Sequence, residues 1–161
     1  MSTLVGAQFP TATTDLSGCI AFNFRKTARV LTNVYDAALQ ASGLRTTQFS
    51  ILVAIAESQP LCVGDLAKLL LIDQSTLSRS LRLLQKRRFV TVSGRSVLRQ
   101  RFVSLSPQGA RTLDDSVPRW RQMQKHFVAL IGHENWKRLH GELATLSRGA
   151  VELQESFVSG N

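Results

Sequence analysis

LCVGDLAKLLLIDQSTLSRSLRLLQKRRFVTV, from Leu61 to Val92, decides how this chain folds. Within it Leu77, Leu81 and Leu84 stand at i, i+4 and i+7, a spacing that puts all three on one stripe of an α-helix. A helix docked by those leucines turns Ser75, Ser78, Arg79, Arg82 and Lys86 to the opposite side, so hydroxyls and cations face solvent. Asp73 stands just ahead of the pattern as an N-cap. The preceding stretch, Asp65 to Leu71, carries Leu66, Ala67, Leu69 and Leu70 in a second, shorter helical pattern. Small Ala67 lets the next helix approach closely, which is the packing requirement of a helix-turn-helix.

Beyond Arg88 the period changes from helical to alternating. Val90 and Val92 face one way on one strand, Val103 and Leu105 on another, and Ser93 to Arg101 join them. That loop contains Gly94 and carries Arg95, Arg99 and Arg101 without a neutralising carboxylate, so a basic wing is predicted directly after a basic helix. From Gln74 to Leu113 there is no acidic residue, while nine arginines and lysines fall in the same window. The formal net charge of +9 is matched by the stretch from Arg25 to Arg101 alone, with thirteen basic residues against four acidic. Such one-sided charge is the electrostatic footprint of a protein that meets a polyanion.

Toward the N-terminus, Thr46 or Thr47 can cap a helix in which Phe49, Leu52, Val53, Ile55 and Ala56 form a largely buried segment ending before Pro60. Ahead of it, Asp15 to Ala41 repeats Ala28, Leu31, Tyr35 and Ala38 at steps of three and four and stops at Ser42–Gly43. Toward the C-terminus, Ser106 and Pro107 supply an N-cap and first-turn proline for a helix reaching about Ile131, which Pro118 should kink or interrupt. After Gly132 a last helix carries Trp136, Leu139, Leu143, Leu146, Ala150, Leu153 and Phe157 at alternating steps of three and four. Part of that seam is expected on the chain's own first helix and the rest on a second copy. The expected fold is mainly α with a small β-hairpin wing. It comprises a flexible arm over 1–14, a dimerisation helix over 15–45, a winged helix-turn-helix over 46–106, and C-terminal helices over 107–161 that complete the dimerisation region.

At 161 residues the chain can bury a core without staples. Cys19 and Cys62 form no CxxC pair and are expected as reduced thiols. His126, His133 and His140 recur every seven residues, but positions seven apart on a helix lie about 10 Å from each other. One ion cannot bridge them, and neither metal nor cofactor is expected. No apolar run reaches membrane-spanning length and the start lacks a secretion signal, so the expectation is a cytoplasmic protein with no membrane partner. GxSxG, a phosphate-cradling glycine loop, HExxH and a convergent carboxylate pair are all missing, which argues against an enzyme. On charge alone, a sequence-independent architectural DNA-binding protein stays open.

With RQRFVSLSPQG, Arg99 to Gly109, added to the first segment, the chain resembles MarR-family transcriptional regulators in residue type, spacing and order from about Cys19 to Leu153. Its most specific parts are Ser75 to Arg79 and Val103 to Gly109. The resemblance implies a homodimer on pseudo-palindromic double-stranded operator DNA, usually a repressor, released by a small aromatic or lipophilic effector or by an oxidant. Transferred by position, it implies Gln74, Ser75, Thr76, Ser78 and Arg79 in the major groove, Arg82 and Lys86 near phosphates, and Arg99 at the minor groove. The family's usual wing aspartate, two places before that arginine, is Val97 here.

An effector site is expected where the first two helices and the Pro118 region meet the DNA-binding module. Phe22, Arg25 and Trp120 are its expected lining, because an apolar pocket with one cation suits an aromatic carboxylate. The oxidant alternative rests on Cys19, with Tyr35 further along the same helix. The resemblance implies a reactive cysteine and a tyrosine there in hydroperoxide-sensing members, but lining up the tyrosines leaves Cys19 two residues early, on a different face. A thiol also needs a lowered pKa and access to react.

Overall fold

The computed structural model describes residues 16–93 and 100–160, so the arm expected over 1–14 and the wing residues Arg95, Val97 and Arg99 lie outside the described residues. A 3-10 turn at Leu16–Gly18 leads into α1 (Ile20–Leu39). A second, Gln40–Ser42, ends at Gly43, whose φ of 68° is the left-handed conformation that glycine adopts without cost. There follow α2 (Thr46–Ser58), β1 (Leu61–Cys62), α3 (Val63–Leu69) and α4 (Gln74–Lys86). The chain closes with β2 (Val90–Val92), β3 (Phe102–Leu105), α5 (Pro107–Ile131) and α6 (His133–Ser159). This is a winged-helix architecture, mainly α, with a three-stranded antiparallel sheet in the order β1-β3-β2.

The hairpin pairs Val90 with Leu105 and Val92 with Val103, so the alternating valines meet on one face as their period requires. β1 is a strand that periodicity does not predict, since two residues are too few to display a period of two. Leu61 pairs with Val103 and Cys62 with Phe102, and the Val63 N–H continues the ladder to the Arg101 carbonyl at 2.9 Å. α3 consequently starts at Val63 rather than Asp65 and ends at Leu69, and the turn after it passes through Leu71 at φ 52°.

α2 is the centre of the core, with Phe49, Ile51, Leu52, Ala54 and Ile55 buried. Val53 is half-buried and Ala56 is exposed, so the burial expected at the end of this helix moves back along it. Leu66 and Ala67 from α3, the three leucines of α4, and Phe89, Val90, Val103 and Leu113 close around it. Neither Thr46 nor Thr47 caps α2. Arg45 is the N-cap, and Asp36 of α1 takes the capping role across the corner. Its Oδ1 accepts from the Thr46 N–H at 2.7 Å and the Thr46 hydroxyl at 2.8 Å, and its Oδ2 from Arg45 Nη1 at 2.9 Å. Burial disfavours the charge on Asp36, but the bonds from Thr46 and Arg45 outweigh it and hold the carboxyl below its usual range.

Pro118 does not interrupt α5, which runs unbroken from Pro107 to Ile131. The carbonyl its missing N–H would have served belongs to Asp114, and both residues are exposed, so water can satisfy it. α5 packs on α1 and α2, while α6 packs on α5. The main partner of α6 is thus α5 and not α1, where part of its seam is expected. α6 buries no residue at all, and Leu153 and Phe157 are 61% and 77% exposed. No described helix is long and apolar enough to cross a membrane.

Candidate nucleic-acid interface

α4 is held by Leu77, Leu81 and Leu84, each at most 2% exposed, and its other side faces outward. Gln74, Ser75, Thr76, Arg79, Arg82 and Lys86 are exposed, and Ser78 is half-buried at the edge of the face. Arg82 donates through Nε to the Ser78 carbonyl one turn back at 3.3 Å, which leaves its terminal nitrogens free to reach outward. Among the described residues the ion pairs are Arg45–Asp36, Lys68–Asp65 and Arg138–Glu142. No carboxylate is therefore paired with a cation of α4, and the helix presents uncompensated positive charge.

The start of this helix is set by Asp73. Its Oδ1 accepts from the Ser75 hydroxyl at 2.5 Å and the Thr76 N–H at 2.8 Å, and its Oδ2 from the Thr76 hydroxyl at 2.6 Å. These bonds, the one from Ser75 foremost, hold the carboxyl far below the usual carboxylate range. Cap and polar face are one unit.

The end of the helix is set by residues far apart in the chain. Half-buried Arg87 donates through Nη1 to the Gly43 carbonyl at 2.7 Å and lies over the Phe89 ring at 4.5 Å. Of the cations in the acid-free window, this one ties the end of α4 to the α1–α2 corner. Arg88 follows at φ 59°. Its carbonyl accepts from the Ser106 hydroxyl at 2.5 Å, and that oxygen accepts in turn from the Gly109 N–H at 2.9 Å. A Cβ on Gly109 would fall 1.9 Å from the Phe89 carbonyl oxygen, so only glycine lets α5 start against the end of α4. Leu71 and Arg88, both left-handed and neither glycine, thus flank α4, and each conformation costs roughly 1 kcal/mol. The surrounding packing holds them.

On the wing, the Ser93 N–H donates to the Phe102 carbonyl at 2.8 Å and the Ser93 hydroxyl accepts from the Phe102 N–H at 3.0 Å, which prolongs the hairpin. Arg101 is exposed beside it. Arg95 and Arg99, assigned to the same wing by sequence, lie outside the described residues.

The three residues expected to line an effector pocket are not brought together. Phe22 and Arg25 share an open groove of about 640 Å³ on α1 with Cys19, Lys26 and Arg29. Trp120 is elsewhere, half-buried and stacked on Phe49 at 5.8 Å between ring centres. The groove is thus more cationic than the sequence suggested, and less enclosed. Cys19 is a half-buried free thiol at the N-cap of α1. Tyr35, sixteen residues on along a helix and so about 24 Å away, donates its hydroxyl to Gln124 Oε1 and stacks on Phe127. Burial raises its pKa. Within one chain Tyr35 is out of reach of Cys19.

This geometry has counterparts. Residues 42–97 match the family model described as MarR family. The crystal structure of the transcriptional regulator MosR of M. tuberculosis in complex with DNA is 32% identical, covers 82% of this chain and 96% of that one, and superposes with a TM-score of 0.76. AbsC, a MarR family transcriptional regulator from Streptomyces coelicolor, is 24% identical with a TM-score of 0.72, covering 86% of this chain and 96% of its own. An uncharacterized HTH-type transcriptional regulator of Bacillus cereus is 28% identical over 117 residues, 73% of this chain and 78% of that protein.

Proposed function

The chain belongs to the MarR family of DNA-binding transcriptional regulators, and on that footing we propose that it is a homodimeric repressor reading a pseudo-palindromic operator through α4. One observation carries this reading: the face of α4 opposite its buried leucines is exposed, cationic and unpaired with any carboxylate among the described residues. Gln74, Ser75, Thr76, Ser78 and Arg79 would meet base edges, Arg82 and Lys86 phosphates, and Arg95, Arg99 and Arg101 the flanking groove from the wing. A bidentate arginine–guanine contact from Arg79 contributes about 1–3 kcal/mol of discrimination.

The homodimer is supported by the apolar seam of α6 and by Ile20, Phe22, Phe24, Val30 and Leu31 of α1, which one chain leaves exposed. A two-fold pair places its recognition helices one turn of DNA apart, roughly 10 base pairs. Four or five phosphate contacts per subunit then give about 8–10 in all, each contributing a slope near −0.9 in log K against log salt. Release by an aromatic or lipophilic anion is supported by the groove on α1, where Phe22 offers a ring and Arg25, Lys26 and Arg29 offer charge.

Footprinting of the purified protein on the DNA flanking its own gene, with random duplex as competitor, tests the whole reading. A protected pseudo-palindrome bound about 10³-fold more tightly than random DNA is the expected result. Equal affinity for both sends the protein to the architectural class. Repeating the footprint with phenolic acids and with peroxide separates release by ligand from release through Cys19.

A further inference from the structure

Three groups at the entry of α4 constrain one another. An ionised carboxylate can only accept hydrogen bonds. Asp73 lies 2.5 Å from the Ser75 hydroxyl and 2.6 Å from the Thr76 hydroxyl, so both of those hydroxyls must be donors toward it. Each hydroxyl owns one proton. With that proton committed to Asp73, what remains on each oxygen is lone pairs, and both side chains are exposed on the face proposed to meet DNA. Phosphate oxygens have no proton to offer, so neither hydroxyl can anchor the backbone in this arrangement. In the major groove the donors are the exocyclic amino groups of adenine and cytosine, whereas guanine O6, thymine O4 and the purine N7 atoms only accept.

We propose that Asp73 is a specificity-determining residue that acts through Ser75 and Thr76, locking both as hydrogen-bond acceptors, so that the entry of α4 selects adenine N6 or cytosine N4 amino groups and rejects guanine O6 and thymine O4. The proposal rests on the DNA-reading role of α4 given above and adds the chemical class of the group that its first turn recognises. The low pKa of Asp73 keeps the lock in one polarity throughout the pH range in which DNA is bound. Arg79 lies one turn further along with donors only, so an acceptor end and a donor end follow each other on one face.

Binding of the dimer to its operator, with single atoms of the DNA removed, tests the polarity. Purine nucleoside in place of adenine deletes the N6 amino group, and pyrimidin-2-one in place of cytosine deletes the N4 amino group. For the wild-type protein, at least one such deletion per half-site is expected to weaken binding about tenfold beyond the same deletion outside the recognised positions. Asp73→Asn, its oxygen kept on the Thr76 N–H and the Ser75 hydroxyl, turns an amide donor toward the Thr76 hydroxyl alone, so dependence carried by Thr76 should vanish while any carried by Ser75 remains. Ser75→Ala combined with Thr76→Val removes the acceptors while leaving the cap, and should lose both even if Asp73→Asn folds poorly. An operator that outcompetes random DNA yet tolerates every amino deletion overturns the proposal and leaves the regulator reading intact. So does a Ser75→Ala, Thr76→Val protein that retains the wild-type dependence. Failure of the wild-type protein to prefer any sequence overturns both.

Discussion

The winged-helix lobe and the terminal helices of this chain solve the burial problem differently. Every buried apolar side chain among the described residues lies between Leu39 and Leu113, whereas α6 buries none and α1 buries only Leu39. Fully burying a leucine contributes about 1.5–3 kcal/mol, so the burial energy is concentrated around the winged helix, to whose core α1 adds Leu39 and α5 adds Leu113. α6 leaves Leu139 and Leu146 partly and Leu153 and Phe157 largely in water, and its main packing in one chain is on α5. In the reading proposed here, the part that faces DNA has its core closed within one chain, and the part that sets its spacing on DNA awaits a second copy.

The contrast can be tested from both sides. Leu146→Asp with Leu153→Asp should have the largest effect, because a two-fold interface feels each change twice. A monomer in sedimentation, operator affinity down at least about a thousandfold or ~4 kcal/mol, and an intact circular-dichroism spectrum are expected. An unchanged dimer would remove the distinction between the two regions. Leu52→Ala attacks the opposite side: a cavity in the lobe should cost about 2–5 kcal/mol in urea unfolding, without altering the concentration dependence that dimerisation confers.

Smaller effects separate roles within the lobe. Arg79→Ala should cost about 1–3 kcal/mol on the operator and relax one base preference. Arg82→Ala should weaken all sequences alike and reduce the salt slope by about two per dimer. Uniform loss in both variants would contradict that division. Arg87→Ala should lower stability by roughly 1 kcal/mol through the lost Gly43 and Phe89 contacts, with the salt slope unchanged because this arginine holds no phosphate. Asp36 gives the smallest effect. Its folded carboxyl lies below the ordinary value of 3.8, so its contribution is fully present above that pH and is lost as pH falls through the folded value. A thermal melting series should show up to about 1 kcal/mol disappearing on acidification, and Asp36→Asn should flatten that part of the curve.

Much of this was legible in the linear chain. The leucine stripe at 77, 81 and 84, the Asp73 cap, the paired valines of the hairpin, the stop at Gly132 and the exposed cations of α4 are local patterns, and each stands in the structure where its period places it. The readings that moved failed for identifiable reasons. β1 is too short to have a period, the sequence around Pro118 does not reveal that its turn faces water, and the heptad-like pattern of α6 does not say which helix it faces. Position along the chain puts Trp120 with Phe22 and Arg25, yet it packs on Phe49 at the core.

Order along a single segment, which side of a helix is greasy and which is charged, follows from backbone repeat and residue type, and it was enough to specify a winged helix-turn-helix and its outward basic face. Contacts across the fold follow no repeat. Arg87 reaches Gly43 across 44 positions, Asp36 caps a helix that starts ten positions later, and the Phe89 carbonyl leaves Gly109 no room for a side chain. Those pairings exist only once the elements are packed, because the separation that matters to them is in space and not along the chain.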